Sequence, residues 1–385
     1  MPAATTTRLA IKAMTTKLSI RDFVAIGDIR EHYARHLRST GSVFQRQQPV
    51  AAPVGVRRIG PDVLIDDGEW FSLAAPAVTE ASGLILQGTR LGVDAISTAD
   101  GALQWRVATG SAVDAVAVAG NLVAMGGRDN VIRLVRVEDG TEQWTARVLD
   151  WVSGLRIDNE LLLSGGRDGI VRAWDLRSGQ CLWGTELGAR ILATPIALGA
   201  WVFVGARDGR FYQLDRSTGE VINALQTGSD IHGTACVLDD DAIVFGSDDK
   251  RIYCVDARTL EIRWMFRTGD SVWAQPLSTF AGVVVASTDG HVYHLDGGSG
   301  VPLWEVGVGG PIRLGLSIHR DLVCVVTEGG AITLLDLVDG SAVASGALPG
   351  FVWAQPTAAR SGFILASRAN EVVCVTPPTQ TNWTG

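Results

Sequence analysis

Apolar and polar residues alternate along most of the chain after about residue 52, in short runs separated by turns that contain glycine. The stretch LLLSGGRDGIVRAWDLRSGQCLW, from Leu161 to Trp183, shows the unit: an alternating strand, an Arg-Asp-Gly turn, a second alternating strand, a second turn and a strand that carries tryptophan. A period of two residues bounded by glycine and aspartate predicts half-buried antiparallel strands rather than helices. Asp-Gly suits a tight hairpin, because glycine adopts positive φ without steric cost.

This unit recurs at a spacing of 39 to 41 residues. The residue before the first turn of each copy serves as a register mark, and the eight marks are Thr89, Arg128, Arg167, Arg207, Asp248, Thr288, Glu328 and Arg368. Sixteen residues after the first seven marks stand Trp105, Trp144, Trp183, Asn223, Trp264, Trp304 and Ala344. A period near forty with four strands per unit is typical of propeller blades. The sequence therefore predicts an all-β fold, an eight-bladed β-propeller of four-stranded antiparallel blades, with the recurring tryptophans packed between blades.

The first 53 residues have a different pattern and are predicted to form a basic extension. Arginine and lysine outnumber acidic residues over 1–46, and apolar positions recur at helical spacing over about 19–40. This predicts one amphipathic helix followed by a linker. Three roles stay open for the helix: docking on the propeller, binding a protein partner, or contacting a membrane surface.

Residues 54–385 are assigned to the propeller, which must close its ring. The segment over about 57–65 aligns with the fourth strand of the other blades, so we expect it to pair into the last blade and cover an exposed edge. The tail around Trp383 competes for the same place, because it stands close to where the last blade would carry its own tryptophan.

The stretch from Asp175 to Trp183, with its counterparts over Asp215–Asn223 and Asp296–Trp304, resembles the tryptophan-docking repeat of quinoprotein-type, pyrroloquinoline-quinone-like β-propellers. The third unit, SGGRDGIVRAWDL, is also similar to a WD40 repeat, without the Gly-His pair usual there. The resemblance covers about residue 52 to the end and implies the fold, but both families host unrelated functions. Quinoproteins carry adjacent cysteines and acidic calcium ligands, and this chain has no adjacent cysteines.

Composition narrows the classes of function. The formal net charge of −8 argues against binding to nucleic acid, and no apolar run is long enough to span a membrane. The five cysteines fall inside strand patterns with no paired spacing, which predicts small buried thiols in a reducing compartment and hence a cytoplasmic protein. His291 and His294 are predicted on opposite faces of one strand, as solvent-facing or turn-adjacent residues. No catalytic constellation, metal site or cofactor site is predicted.

What remains is a binding surface on one face of the propeller. The register marks should lie on the same face as the connections between blades, with a basic arc opposite an acidic arc that contains Asp248 and Glu328. Arginine beside exposed aromatic residues is typical of protein-binding hot spots. The candidate partner-binding residues are Arg128, Arg167, Arg207, Arg368, Trp151, Trp273, Trp353 and His232. Two alternatives stay open: each arginine pairs with the aspartate after it or packs on a neighbouring blade, and the tryptophans pack around the channel.

These observations favour a non-enzymatic interaction scaffold or adaptor in a cytoplasmic multiprotein assembly, of the signalling or conflict-system kind. Protein partners are expected on the propeller face and through the N-terminal helix. A quinone-dependent dehydrogenase-like enzyme and a sensor that holds a small ligand in the central channel are the alternatives.

Overall fold

The computed structural model describes residues 52–59, 74–79, 81–348, 354–366 and 372–377, and these residues form an eight-bladed β-propeller. Two short strands, β1 (Ala52–Pro53) and β2 (Gly55–Ile59), come before the first blade. The predicted helix over about 19–40 and the tail around Trp383 lie outside these residues. Within the described ranges, no helix has the length and apolar character needed to cross a membrane.

Each blade is an antiparallel sheet whose strands follow one another from the channel outwards. Blades one to four are formed by β3 (Ala77–Thr79), β4 (Leu84–Gly88), β5 (Gly92–Ser97), β6 (Leu103–Ala108); β7 (Val113–Ala119), β8 (Leu122–Gly127), β9 (Val131–Arg136), β10 (Glu142–Arg147); β11 (Val152–Asp158), β12 (Leu161–Gly166), β13 (Ile170–Asp175), β14 (Cys181–Glu186); and β15 (Ile196–Leu198), β16 (Trp201–Gly205), β17 (Arg210–Asp215), β18 (Val221–Gln226). Blades five to eight continue with β19 (Cys236–Asp239), β20 (Ala242–Ser247), β21 (Arg251–Asp256), β22 (Ile262–Arg267); β23 (Leu277–Ser278), β24 (Gly282–Ala286), β25 (His291–Asp296), β26 (Pro302–Gly307); β27 (Gly315–His319), β28 (Leu322–Val326), β29 (Ala331–Asp336), β30 (Ala342–Ala347); and β31 (Thr357–Ala359), β32 (Gly362–Ala366), β33 (Val372–Thr376).

The last blade takes its outer strand from the start of the propeller. Strand β2 pairs antiparallel with β33, in a register that runs from Gly55 opposite Thr376 to Ile59 opposite Val372. The strand begins two residues before the predicted range of about 57–65, of which residues 60–65 lie outside the described part of the chain. Just before it, β1 adds in parallel to the outer strand of blade seven, with Ala52 opposite Ala344. The chain therefore runs from the outside of blade seven to the outside of blade eight before it enters blade one.

The recurring tryptophans join neighbouring blades. In each case the indole Nε1 donates a hydrogen bond of 2.8 to 3.0 Å to a backbone carbonyl of the next blade, and the pairs are Trp105 with Val137, Trp144 with Leu176, Trp183 with Arg216, Trp264 with Gly297 and Trp304 with Leu337. The fourth strand has a bulge just before its docking tryptophan, and this bulge sets the direction of the side chain. In blade three, Ala173 lies opposite Trp183 but Trp174 lies opposite Cys181, so the register shifts by one residue there. The buried residues of the described chain likewise form eight clusters, each packed between two neighbouring blades.

Two sequence predictions about individual side chains were wrong. His294 is fully buried in blade six, where its Nε2 lies 2.9 Å from the Thr279 hydroxyl and its ring meets Trp304 edge-on. Cys181 is exposed on an outer strand, whereas Cys236, Cys254, Cys324 and Cys374 are buried as predicted. Both errors have one cause. The side-chain period of a strand assigns residues to its two faces but does not say which faces are covered. In a propeller both faces of an inner strand are covered by neighbouring blades, whereas the outermost strand is open to solvent.

Buried His294 predicts a pH-dependent stability. Burial lowers its pKa from 6.5 to about 4, so the folded protein keeps this imidazole neutral while the unfolded chain takes up a proton below pH 6.5. The contribution of His294 to the free energy of unfolding is therefore fully present above pH 6.5 and is lost as the pH falls towards 4. The whole loss is roughly 3 kcal/mol. Urea denaturation at several pH values within this window should show a smaller loss for His294→Gln than for the wild type. Equal losses in the two proteins would contradict this assignment.

Candidate functional site

Six of the register marks, those from Arg128 to Glu328, lie beside the segments that enter their blades, at one end of the propeller. The backbone N–H of six described marks donates to a carbonyl of the segment that leads into the first strand of the same blade, and four of these pairs are Arg128 to Ala112 at 2.9 Å, Arg167 to Trp151 at 2.9 Å, Arg207 to Arg190 at 3.0 Å and Asp248 to Asp230 at 2.9 Å. We call this end the rim, formed by the turns after the second strands and the blade-entry segments that they contact.

The aspartate that follows Arg128, Arg167 or Arg207 is in each case engaged inside its own blade. Asp129 pairs with Arg133, and Asp168 pairs with Arg172 at 2.8 Å. Asp208 accepts a hydrogen bond of 2.6 Å from the Tyr212 hydroxyl. The alternative that each arginine pairs with the aspartate that follows it is therefore wrong, whereas its second part, packing on a neighbouring blade, is confirmed for Arg128 on Trp151 and for Arg207 with Asp230. The arginine side chains are left to contact other parts of the rim.

Trp151 is the centre of the first group of rim side chains. The guanidinium carbons of Arg128 and Arg167 lie 4.7 Å and 4.0 Å from its ring centroid. Arg128 is also held by Asp114, with Nε 3.0 Å from Oδ2. Such cation–π contacts hold the flexible arginine side chains on the face of the indole ring.

Trp273 is the centre of the second group. His232 stacks on its ring at a centroid separation of 4.8 Å, and the Arg313 guanidinium lies 4.4 Å from its centroid. The Trp273 Nε1–H donates to the carboxylate of Asp248, which also lies 3.2 Å from His232 Nε2. Burial alone would raise the pKa of Asp248, but the hydrogen bonds from His232 and Trp273 outweigh it and hold the pKa below its ordinary value.

Asp230, His232 and Asp248 bring their ligand atoms within 4.8 Å of one another, which is a donor set that suits a metal ion. Their hydrogen bonds already account for the arrangement, however. Asp230 pairs with Arg207 at 2.8 Å, and Asp248 accepts from Trp273. A cation here would have to displace both donors, so we interpret the group as a network that orients Arg207 and Trp273.

The rim opens into a cavity of about 610 Å³ along the channel. One residue from each of six successive blades lines it at the blade entry, and this mouth ring consists of Asp114, Ser153, Leu192, His232, Trp273 and Arg313. Their chemistry differs although their places in the repeat are equivalent. Variation on a rigid scaffold is typical of recognition surfaces.

The structure brings six of the eight candidate residues together on the rim: Arg128, Arg167, Trp151, Arg207, His232 and Trp273. Arg368 and Trp353 lie outside the described residues. The expected separation into a basic arc and an acidic arc is wrong, because Glu328 pairs with Arg313 at 3.0 Å and Asp230 pairs with Arg207. Charges alternate around this part of the rim, since the blade-entry segments contribute residues of the opposite sign.

Sequence reasoning missed Arg313 and Arg156, which both line the cavity. The signal for Arg313 was present, because it stands 40 residues after Trp273 and 40 before Trp353 and so occupies the same place in the repeat. Arg156 lies on β11, where its polar side chain interrupts a run that reads as a core strand. A charged residue at such a position is explained only when the first strands of the blades are known to line a channel.

Together, the fold and the indole hydrogen bonds between blades define a β-propeller of the tryptophan-docking class. The family model described as "Outer membrane protein assembly factor BamB" matches residues 128–230 and 223–384, and the chain belongs to this family. The resemblance to quinoprotein-type repeats is thereby confirmed at the level of the repeat.

Many solved structures are similar in fold, and two of them are described here. BamB from Moraxella catarrhalis shares 20% identity at a TM-score of 0.69, over 87% of this chain and 100% of that one. The computationally designed Ika8 protein shares 19% identity at a TM-score of 0.70, over 80% of this chain and 100% of that one. A comparison with curated proteins gave no match.

Proposed function

We propose that the protein is a non-enzymatic interaction scaffold whose protein partner docks on the rim. The observation that carries this proposal is the pair of cation–aromatic groups at the channel mouth, one on Trp151 and one on Trp273. Tryptophan and arginine dominate the binding energy of protein interfaces, and preordered side chains lose less entropy when a partner binds. The family description, an assembly factor, agrees with a protein that binds other proteins.

The rim is both ordered and accessible, as a docking surface requires. Arg207 retains 42% side-chain exposure and Arg313 retains 33%, while each is held by a carboxylate. Trp151 and Trp273 are half-buried, so each presents part of its ring to solvent. The candidate residues Arg368 and Trp353 belong to this proposal through their places in the repeat, and the N-terminal helix is proposed as a second contact.

Charge reversal on the rim tests the proposal. Arg167→Glu/Arg207→Glu should abolish recovery of the partner when the tagged protein is purified from its native host, since each reversal replaces attraction by repulsion and at least tenfold weaker binding is expected. The matched control is Arg177→Glu/Arg258→Glu, which makes the same change of charge on exposed turns after third strands, at the other end of the blades. Both variants should keep the circular dichroism spectrum of the wild type. A partner recovered equally with all three proteins would refute docking on the rim.

A cytoplasmic location is also a prediction, and it rests on the cysteine pattern and composition. The family name refers to an outer-membrane process, so the two locations can be separated directly. Cell fractionation with an antibody against the protein should recover it in the cytoplasmic fraction. Recovery with the outer membrane would contradict the location and would leave docking on the rim untouched.

A further inference from the structure

Two arginines that line the channel cavity lack the ion pairs that their neighbours make. Arg156 lies on β11 and Arg167 follows β12, so both belong to blade three. Within the described residues, neither guanidinium makes an ion pair or a hydrogen bond. At the same mouth, Arg128 pairs with Asp114 and Arg313 pairs with Glu328, each at 3.0 Å.

The charge of the lining is therefore positive. Asp114 is the one carboxylate among the described lining residues of the cavity, and Arg128 already pairs with it. Burial, together with the nearby cations Arg190 and Arg128, lowers the pKa of Arg167, so the site itself opposes its charge. Because the whole chain has a net charge of −8, this cationic cavity stands out against an acidic protein and attracts anions to one place.

The cavity has room for an extended segment. The mouth cavity of about 610 Å³ is followed by a second one of about 490 Å³, and the two share Arg156, Gln275 and Gln355 in their linings. Arg156 thus lies between the two cavities, whereas Arg167 lines only the outer one. Thr194, Thr234 and Gln275 add side chains that hydrogen-bond to peptide groups or carboxylates.

We infer that the channel mouth binds a carboxylate-rich peptide segment of the protein partner, with Arg167 at the entrance and Arg156 further in. This inference rests on the proposed function and extends it. A partner segment is favoured over a free organic acid because the cavity is continuous with the rim groups on Trp151 and Trp273, where a larger surface would dock. A guanidinium group binds a carboxylate through two parallel hydrogen bonds. Arg156 and Arg167 can therefore bind two carboxylates of the segment, one each.

Fluorescence anisotropy with a labelled short poly-glutamate peptide tests the inference on the full chain. The wild type should bind this peptide and leave the corresponding poly-glutamine peptide unbound. Arg156→Gln should weaken binding about tenfold or more, because one charge-assisted interaction is lost. Arg167→Gln should act in the same direction, and Arg177→Gln, an exposed turn residue, should bind like the wild type. Added salt should weaken binding to the wild type more than to the variants.

Several outcomes would overturn the inference. Equal peptide binding by the wild type and Arg156→Gln would do so, and so would the absence of binding. If citrate binds through Arg156 and the peptide does not, the ligand is a free organic acid rather than a partner segment.

The failure of this inference can be distinguished from the failure of the proposed function. If the rim is the docking surface but the channel takes no segment, the native partner should be lost with Arg207→Glu and retained with Arg156→Gln. If the rim is not the docking surface, the native partner should be retained with both. Arg156→Lys, which keeps the charge, should restore part of the peptide binding and thereby separate charge from a local change in structure.

Discussion

Leucine in place of Gly219 is expected to destabilise the propeller by roughly 2–5 kcal/mol, because it combines backbone strain with a steric clash. Gly219 has φ of +75° and lies under the ring of Trp183, so that a Cβ added there would stand 2.5 Å from an indole carbon. The same arrangement recurs beneath Trp105, Trp144, Trp264 and Trp304, where the glycines are Gly140, Gly179, Gly300 and Gly340.

The chain itself contains the exception that explains this pairing. Asn223 occupies the tryptophan position of blade four, and the residue facing it in blade five is Leu260 rather than glycine. Leu260 keeps the positive φ, at 56°, and is buried, while Asn223 Nδ2 donates to the Thr259 carbonyl at 2.8 Å. The smaller asparagine leaves space for leucine. Trp183→Asn should therefore recover part of the stability lost by Gly219→Leu, although each single change is destabilising.

Chemical denaturation of the two single variants and the double variant measures this coupling. Gly188→Leu is the matched control, since Gly188 has nearly the same φ, +76°, and an added Cβ there meets no atom within 4 Å. It should cost about 1 kcal/mol, from the backbone alone. If Gly188→Leu and Gly219→Leu were equally destabilising, the contact with Trp183 would not be the cause.

Much of the fold follows from the spacing of one turn and one aromatic residue. The marks from Thr89 to Arg368 define eight units, and the alternation within each unit defines its strands. The replacement of tryptophan by Asn223 and of glycine by Leu260 could not be interpreted from the sequence. The two positions meet in a contact between blades, and the spacing along the chain does not show which positions of adjacent repeats are in contact. Both positions nevertheless depart from the repeat in adjacent units, and such paired departures indicate a contact.

The candidate site was only partly predictable for a related reason. Periodicity places Arg167, Trp273 and Arg313 at one end of the propeller, since equivalent positions in a repeat are equivalent in space. It does not say which charges meet. Asp230, at the entry to blade five, pairs with Arg207 of blade four, and Arg128 and Arg167 share Trp151, because neighbouring blades converge on the channel. These contacts depend on side-chain length and direction rather than on spacing along the chain.

Removal of the strand that completes the last blade should have the other large effect. Strand β2 supplies the ladder with β33, and Ile59 is buried with Ile85, Ile364 and Val372 between blades eight and one. A chain that starts at Gly60 loses these hydrogen bonds and this buried side chain, a cost of several kcal/mol, and exposes an unpaired edge that favours association.

The control for this truncation is a chain that starts at Ala52, which keeps both β1 and β2. We expect the control to elute as a single species with a cooperative melt, and the shorter chain to aggregate or to melt at a much lower temperature. Size-exclusion chromatography and thermal denaturation followed by circular dichroism distinguish these results. If the two chains behaved alike, a segment other than β2, such as the tail around Trp383, would be able to cover β33. The ring would then close without β2, because covering that edge requires backbone pairing with a strand and not one particular sequence.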